Sequence, residues 1–469
     1  MDVIACLGRY LLAIFFVSAV SGCAVTSLFS PYPDQAQTYK SSIGSIQVVG
    51  ALPVNEAVLV DLGEERDSAD AMLYMMERGR IAQLSSRYAE SREDFEVVID
   101  GFESQDLAST IEASGLAAEG AAMLTNDNAI PYSGAGYERI FVHHHQAFNY
   151  WGEGDIEGAS IEFRKVALEQ QILLEQFEKE IAEAQHAAEE NDIDIETLST
   201  EFAGLDTVAG KVKSSFQNAY TFYTSAAFWE AIGETNNALV DYKKAYEINP
   251  TVELIKQDIA RVSNKLGSRS SQKNLNLPGE NEGTVVLLFE DGFVPAKSEF
   301  KIPIPIYGGG LISLAFPMYE TELWPLSNRL KVMDDNFTDF GTTQIVVDVG
   351  ALAVKGLIEQ IPKLLVRQVL RGFAKYELQK KSEEKFGGAG LFVASLYNVI
   401  SERADRRSWL TLPNSGQVLR FNLPAGEREL SLTAGASQSK LGLKIDAKKT
   451  TFVRVVHVNN RLISQVFTL

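Results

Sequence analysis

Few residues in this chain stand at spacings that suggest chemistry. Three of its five histidines form the run His143–His145. Adjacent helical positions point about 100° apart, so at most two of the three could share a metal ion, and no Cys, Asp or Glu adjoins the run. No metal site is expected there. Asp192, Asp194 and Glu196, and the pair Asp334-Asp335, resemble calcium loops only loosely: they lack the glycine and the closing bidentate Glu, and read as solvated loops. Gly308–Gly310 could cradle a phosphate, but no Lys or helix start follows, so a hairpin turn is the better reading. The patterns G-x-S-x-G, H-E-x-x-H, C-x-x-C, G-x-G-x-x-G and the P-loop are all missing. With 62 acidic residues some carboxylate pair always exists, which argues nothing for glycan cleavage. The chain reads as a non-enzyme without a cofactor.

The elements that would position any site are of two kinds. A length of 469 residues with 45% apolar content allows two or three domains, each with a core. A net charge of −19 repels nucleic acid, which is not expected as a partner. In the first half, residues 219–252 carry Phe222, Ala226, Trp229, Gly233, Ala238, Tyr242, Ala245 and Pro250. Small residues let two helices approach, large ones fill the space between helix pairs, and the proline ends the second helix. This spacing resembles the tetratricopeptide repeat. Residues 140–173 repeat it with Ala147, Tyr150, Gly154, Ala159, Phe163 and Val166, His143 replacing a large apolar residue. Residues 72–105 follow more loosely through Met75, Gly79, Ser91, Phe95 and Val98. The helix after Ala159 is predicted to run on through the charged stretch ending AEAQHAAEE and to pair with residues 206–230 as a long hairpin. First helices line the concave groove of such stacks, so the resemblance implies partner contacts at Asn149 and Thr221.

At the N-terminus, Arg9 precedes the apolar run 10–22, which is too short to span a bilayer but fits a signal-peptide core. It ends Val20-Ser21-Gly22-Cys23, which resembles the bacterial lipobox, although Asp2 weakens the positive leader. The resemblance implies lipid on Cys23 and, with Ala24 following, an outer-membrane address. Cys6 would be lost with the signal, so no disulfide and no cysteine nucleophile remain. The expected organisation is a signal peptide over 1–22, a lipidated tether over 23–43, a helical repeat domain over 44–266, a polar linker over 267–283 and a C-terminal α+β domain over 284–469.

In that last part, residues 284–292 read as a buried strand, and 298–307 and 310–319 as two extended segments flanking the triple glycine. A helical region is predicted over 343–384, starting or kinking a second helix at Pro362, and a short helix over 389–403. Strand-like segments over 407–469 predict a small antiparallel sandwich, with Asn459-Asn460 as a hairpin turn. The fold class is therefore α+β, with helical hairpins and a long helical insertion before a β-rich domain with inserted helices. The phrases VVLLFEDGFVPAKSEFKIPIPI and SWLTLP, together with the scattered repeats, resemble a family of Gram-negative lipoproteins without assigned chemistry. The resemblance implies a periplasm-facing adapter for an unidentified envelope protein, with a cell-wall context. The alternative is a glycan-binding lipoprotein using Trp409 as a stacking platform.

Overall fold

The computed structural model describes residues 31–45, 56–111, 127–268, 275, 277–306, 310–322, 324–401 and 403–469. Cys23 and the signal-like run lie outside them. The fold is mixed α and β, with eleven α-helices among the described residues of the N-terminal half and a β-rich C-terminal region.

Where small and large apolar residues alternate at helical spacing, the chain folds as antiparallel helix pairs. After α1 (Tyr32–Ser45) and α2 (Glu56–Glu64) come three of them: α3 (Ala71–Leu84) with α4 (Tyr88–Ile111), α5 (Gly136–Gly152) with α6 (Ile156–Glu190), and α9 (Ala219–Ala231) with α10 (Thr235–Ile248). Short helices α7 (Ile195–Ser199) and α8 (Asp206–Ala209) fill the gap, and α11 (Glu253–Lys265) packs on α10. Each pair turns on a left-handed residue: Ser86 at φ 61°, Gly154 at 83° and Gly233 at 88°. These residues occupy the same place in the three sequence repeats, fourteen residues after starts at 72, 140 and 219. Gly233 has open space around its missing Cβ. Gly233→Ala should therefore cost about 1 kcal/mol through backbone strain alone, read as a lowered midpoint in urea denaturation.

The predicted small residues allow the close approach. Ala147, Ala159, Ala226, Ala238 and Ala245 are fully buried, and so in effect are Phe163, Trp229 and Tyr242. Gly79 lies so close to Phe95 that a Cβ there would stand 3.0 Å from its ring.

Strand β1 (Glu282–Asp291) is apolar without alternation because it is covered on both faces. It pairs in parallel with β10 (Thr450–Val458) and antiparallel with β7 (Ser415–Pro424). β11 (Arg461–Thr468) and β6 (Gln344–Asp348) complete a five-stranded sheet of order β11-β10-β1-β7-β6. A second sheet has the order β5-β4-β8-β9, from β4 (Leu330–Asp334), β5 (Asp339–Thr342), β8 (Gly426–Ala434) and β9 (Ser437–Ile445). Val285, Leu287, Phe289, Leu432, Leu443, Val453 and Val455 fill the space between the sheets. On the other face of β1, Val286 and Leu288 join one core with Phe148, Trp151 and Tyr220 of the helices. A hairpin, β2 (Ser298–Ile306) and β3 (Gly310–Met318), stands apart as a two-stranded sheet. Its base residues Ile302, Leu314 and Phe316 are core, and residues 307–309 at its tip lie outside the described residues.

Several expectations need correction. The sandwich is not confined to 407–469, nor wholly antiparallel, since β1, β4, β5 and β6 belong to it and β1 runs parallel to β10. Residues 407–413 form no strand. The helix expected over 343–384 begins only after β6 and continues as a single helix, α12 (Val349–Ser401), through Pro362 and the separate short helix expected beyond it. The far half of α6 also packs on α12, with Lys363 donating to Glu180 at 2.9 Å, and it meets the expected stretch 206–230 where Phe177 lies against Phe216, ring centroids 6.3 Å apart. Tyr32–Ser45, most of it within the expected tether, is the packed helix α1, with Ala36 and Ile43 fully buried. Asn459 and Asn460 do make the last hairpin turn, at φ 50° and 58°. No helix among the described residues is long and apolar enough to cross a membrane.

Candidate functional site

Polar side chains at inward-facing positions of β1 and β10 make two unlike clusters on opposite faces of the central sheet. Alternation along β1 sends Glu290 toward the helices and Asp291 toward the second sheet.

Glu290 lies between two buried arginines. Arg454 of β10 donates from Nε to Glu290 Oε1 at 2.8 Å and from Nη2 to Oε2 at 3.2 Å, and Arg80 of α3 donates to Oε2 from the other side. Tyr220 OH of α9 adds a 3.4 Å bond. Burial alone would raise the Glu290 carboxyl, but Arg454 and Arg80 outweigh it and hold it down at about 2. Burial lowers Arg80 to about 10, against the pull of Glu290. Arg454 also reaches Gln83 Oε1 at 2.8 Å and His145 Nδ1 at 3.2 Å. The cluster fastens α3, α5, α9, β1 and β10 to one another. A second seam joins Arg420 of β7 and Arg261 of α11 to Glu230 of α9. There too burial would raise the carboxyl, and the two guanidiniums hold it at about 2.

The histidine run sits inside this interior. Burial pushes His144 down to about 3 and His145 well below the usual imidazole value, so both are neutral at pH 7. His143 Nδ1 lies 2.7 Å from Glu162. Among the described residues no group of three or more His, Cys, Asp and Glu is placed to hold a metal ion. The acidic loops have local partners: Asp194 caps α7 by accepting from Thr197 N–H, and Asp334 accepts from the N–H groups of Asn336 and Thr338.

Asn149 and Thr221 do not line a groove. Both are fully buried. Asn149 accepts from Gln83 Nε2 at 2.6 Å and donates to Gln146 Oε1 at 2.9 Å. Thr221 Oγ1 donates to the Asn218 carbonyl at 2.9 Å. The sheet covers the side that a solvent-lined stack would leave open. Trp409 likewise has no exposed face: it packs on Phe95 and His145, with ring centroids 5.7 and 5.6 Å away. Its extended segment is pinned by two helix carboxylates. Trp409 N–H donates to Glu138 at 2.7 Å and Leu410 N–H to Glu77 at 2.8 Å, while Tyr32 OH and Thr411 Oγ1 also donate to Glu77.

Burial raises the Glu77 carboxyl to about 7 although these hydrogen bonds lower it. A carboxyl whose folded pKa is raised contributes stability that is full below its unfolded value and lost as pH climbs through about 7. The stability advantage of wild type over Glu77→Gln should therefore shrink between pH 5 and 8, measured by urea denaturation at each pH.

On the opposite face, Asp291, His457 of β10 and Ser437 of β9 meet at the end of the sandwich. His457 Nδ1 lies 2.6 Å from Asp291 Oδ1, and its Nε2 lies 2.9 Å from Ser437 Oγ. Asn328 fixes Asp291 by donating from its N–H at 2.7 Å and from its side chain at 3.4 Å. Sequence reasoning missed all three residues, because they stand on separate strands and match no motif. The available signal was phase: in TTFVRVVHV, His457 follows Val453 and Val455 at positions that face the second sheet.

No family model, curated protein or solved structure matches the chain. The resemblance to a Gram-negative lipoprotein family rests on the quoted residues alone.

Proposed function

We propose that this chain is a lipid-anchored outer-membrane protein that faces the periplasm and acts as an adapter for another protein in cell-envelope biogenesis, peptidoglycan synthesis being the first process to test. The lipobox-like Val20–Cys23 supports the anchor. The common place of the turn residues Ser86, Gly154 and Gly233 supports a tetratricopeptide-like origin for the helix pairs.

The observation that carries the adapter reading is on the outer side of α6. Ile161 and Leu168, seven residues apart on one helical stripe, are 46% and 57% exposed. Beside them lies a cleft of about 260 Å³ lined by Tyr150, Asp155, Glu157, Gly158, Ile161 and Glu162. An apolar stripe beside an acidic cleft suits a partner helix that presents apolar residues and a Lys or Arg. The rival, glycan binding, loses its platform with Trp409 buried.

Two experiments test the reading. Palmitate-analogue labelling should vanish in Cys23→Ser; persistent label would refute the anchor. In-cell crosslinking of full-length protein should recover one or two envelope proteins, and Ile161→Asp with Leu168→Asp should lose them without lowering the melting temperature. Unchanged crosslinks in that variant would refute the surface. Deleting the helical half is not a usable control, because its core is shared with the sheet.

A further inference from the structure

We propose that Ser437, His457 and Asp291 form a nucleophilic centre for acyl transfer from carboxylic esters. The contrast with the neighbouring Glu290 makes the case. Glu290 is neutralised by two guanidiniums, whereas Asp291, one residue on and facing the other way, has no Lys or Arg within ion-pair distance among the described residues. Its partner is instead the imidazole of His457. A carboxylate can only accept, so the proton of the neutral ring sits on Nδ1 and Nε2 is left to accept from Ser437 O–H. This is the tautomer and order of contacts that activates a serine hydroxyl.

The supporting residues hold the geometry rather than merely filling space. Asn328 orients the carboxylate through two bonds. Asp291 and His457 are direct partners in the parallel ladder, so backbone register sets their approach. Ser437 follows the tight turn at Gly435, whose φ is 56° and where a Cβ would stand 2.8 Å from Asn328 Oδ1. One loop therefore braces both the acid and the turn that carries the nucleophile. Ser437 and His457 are buried but not sealed: they retain 5% and 7% exposure at the rim of the sandwich, whereas Glu290 and Arg454 retain none.

In the step itself, Ser437 Oγ bonds to the ester carbonyl carbon as its proton passes to His457 Nε2. The alkoxide leaves with that proton as an alcohol. Water then attacks the acyl-serine, giving its proton to His457, and releases the carboxylic acid with Ser437 restored. Asp291 stabilises the imidazolium in both halves.

The test uses full-length protein in detergent and an alkyl fluorophosphonate, which Ser437 Oγ would attack at phosphorus with loss of fluoride and a proton. Intact mass should show one phosphonyl adduct per chain, mapped to Ser437 by peptide sequencing and missing in Ser437→Ala. His457→Gln should slow labelling by about 100-fold or more. His457→Gln is read only after its melting curve confirms a folded protein, and Asp291→Asn provides a second variant expected to slow labelling likewise. Wild-type protein that stays unlabelled at saturating probe, or folded variants that label at the wild-type rate, would overturn the proposal.

Discussion

Glu290→Gln should destabilise the protein by about 3–5 kcal/mol in chemical denaturation. The reason is charge balance in a sealed interior. Glu290, Arg80 and Arg454 are essentially without exposure, and one carboxylate serves two guanidiniums. Neutralising it leaves both cations buried against His144 and His145, which are themselves held neutral by burial. A double-mutant cycle identifies the cause. Adding Arg80→Met removes one stranded cation, so the double variant should be more stable than the sum of the single losses by at least 1 kcal/mol. Strict additivity would mean that the loss comes from packing alone.

Trp409→Ala should cost a similar amount, about 3–5 kcal/mol, as a large-to-small change at a fully buried site. The variant also tests the alternative function. A surface platform for sugar stacking could be truncated with little loss of stability and a large loss of glycan binding. Trp409 lies against Phe95 and His145, so a lowered melting temperature and no effect on sacculus co-sedimentation of the folded fraction are expected.

What could be read from the sequence was local. Turn residues at 154 and 233, the small alanines of the helix pairs, and the strand at 284–292 are specified by spacing within a few dozen residues, so periodicity finds them. What could not be read was pairing at long range. Nothing near TVVLLFED says that it lies parallel to a strand beginning at Thr450, and nothing in α6 says that its far half meets α12. Charge carries no local signal either. Nothing in the sequence beside Arg80, Arg454 or Glu290 says that the three meet in a sealed interior. Residues 407–413 resemble a strand because extended apolar backbone looks alike whether its N–H groups meet a neighbouring strand or, as here, the carboxylates of Glu138 and Glu77. Asn149 and Thr221 lie on the first helices of their pairs, but which side of a helix stack stays open depends on what else packs there.

The docking of α1 has a mechanical corollary. Tyr32 is buried and its hydroxyl donates to Glu77 at 2.9 Å, so the chain is fixed to the body at that residue. Only nine residue steps separate Tyr32 from Cys23. At full extension they reach about 30 Å, shorter than α6 alone, whose 35 residues run about 50 Å. Lipid on Cys23 would therefore moor the body on a leash shorter than its own helices. A partner would have to approach the bilayer to meet it, and the body could pivot on its mooring but not patrol.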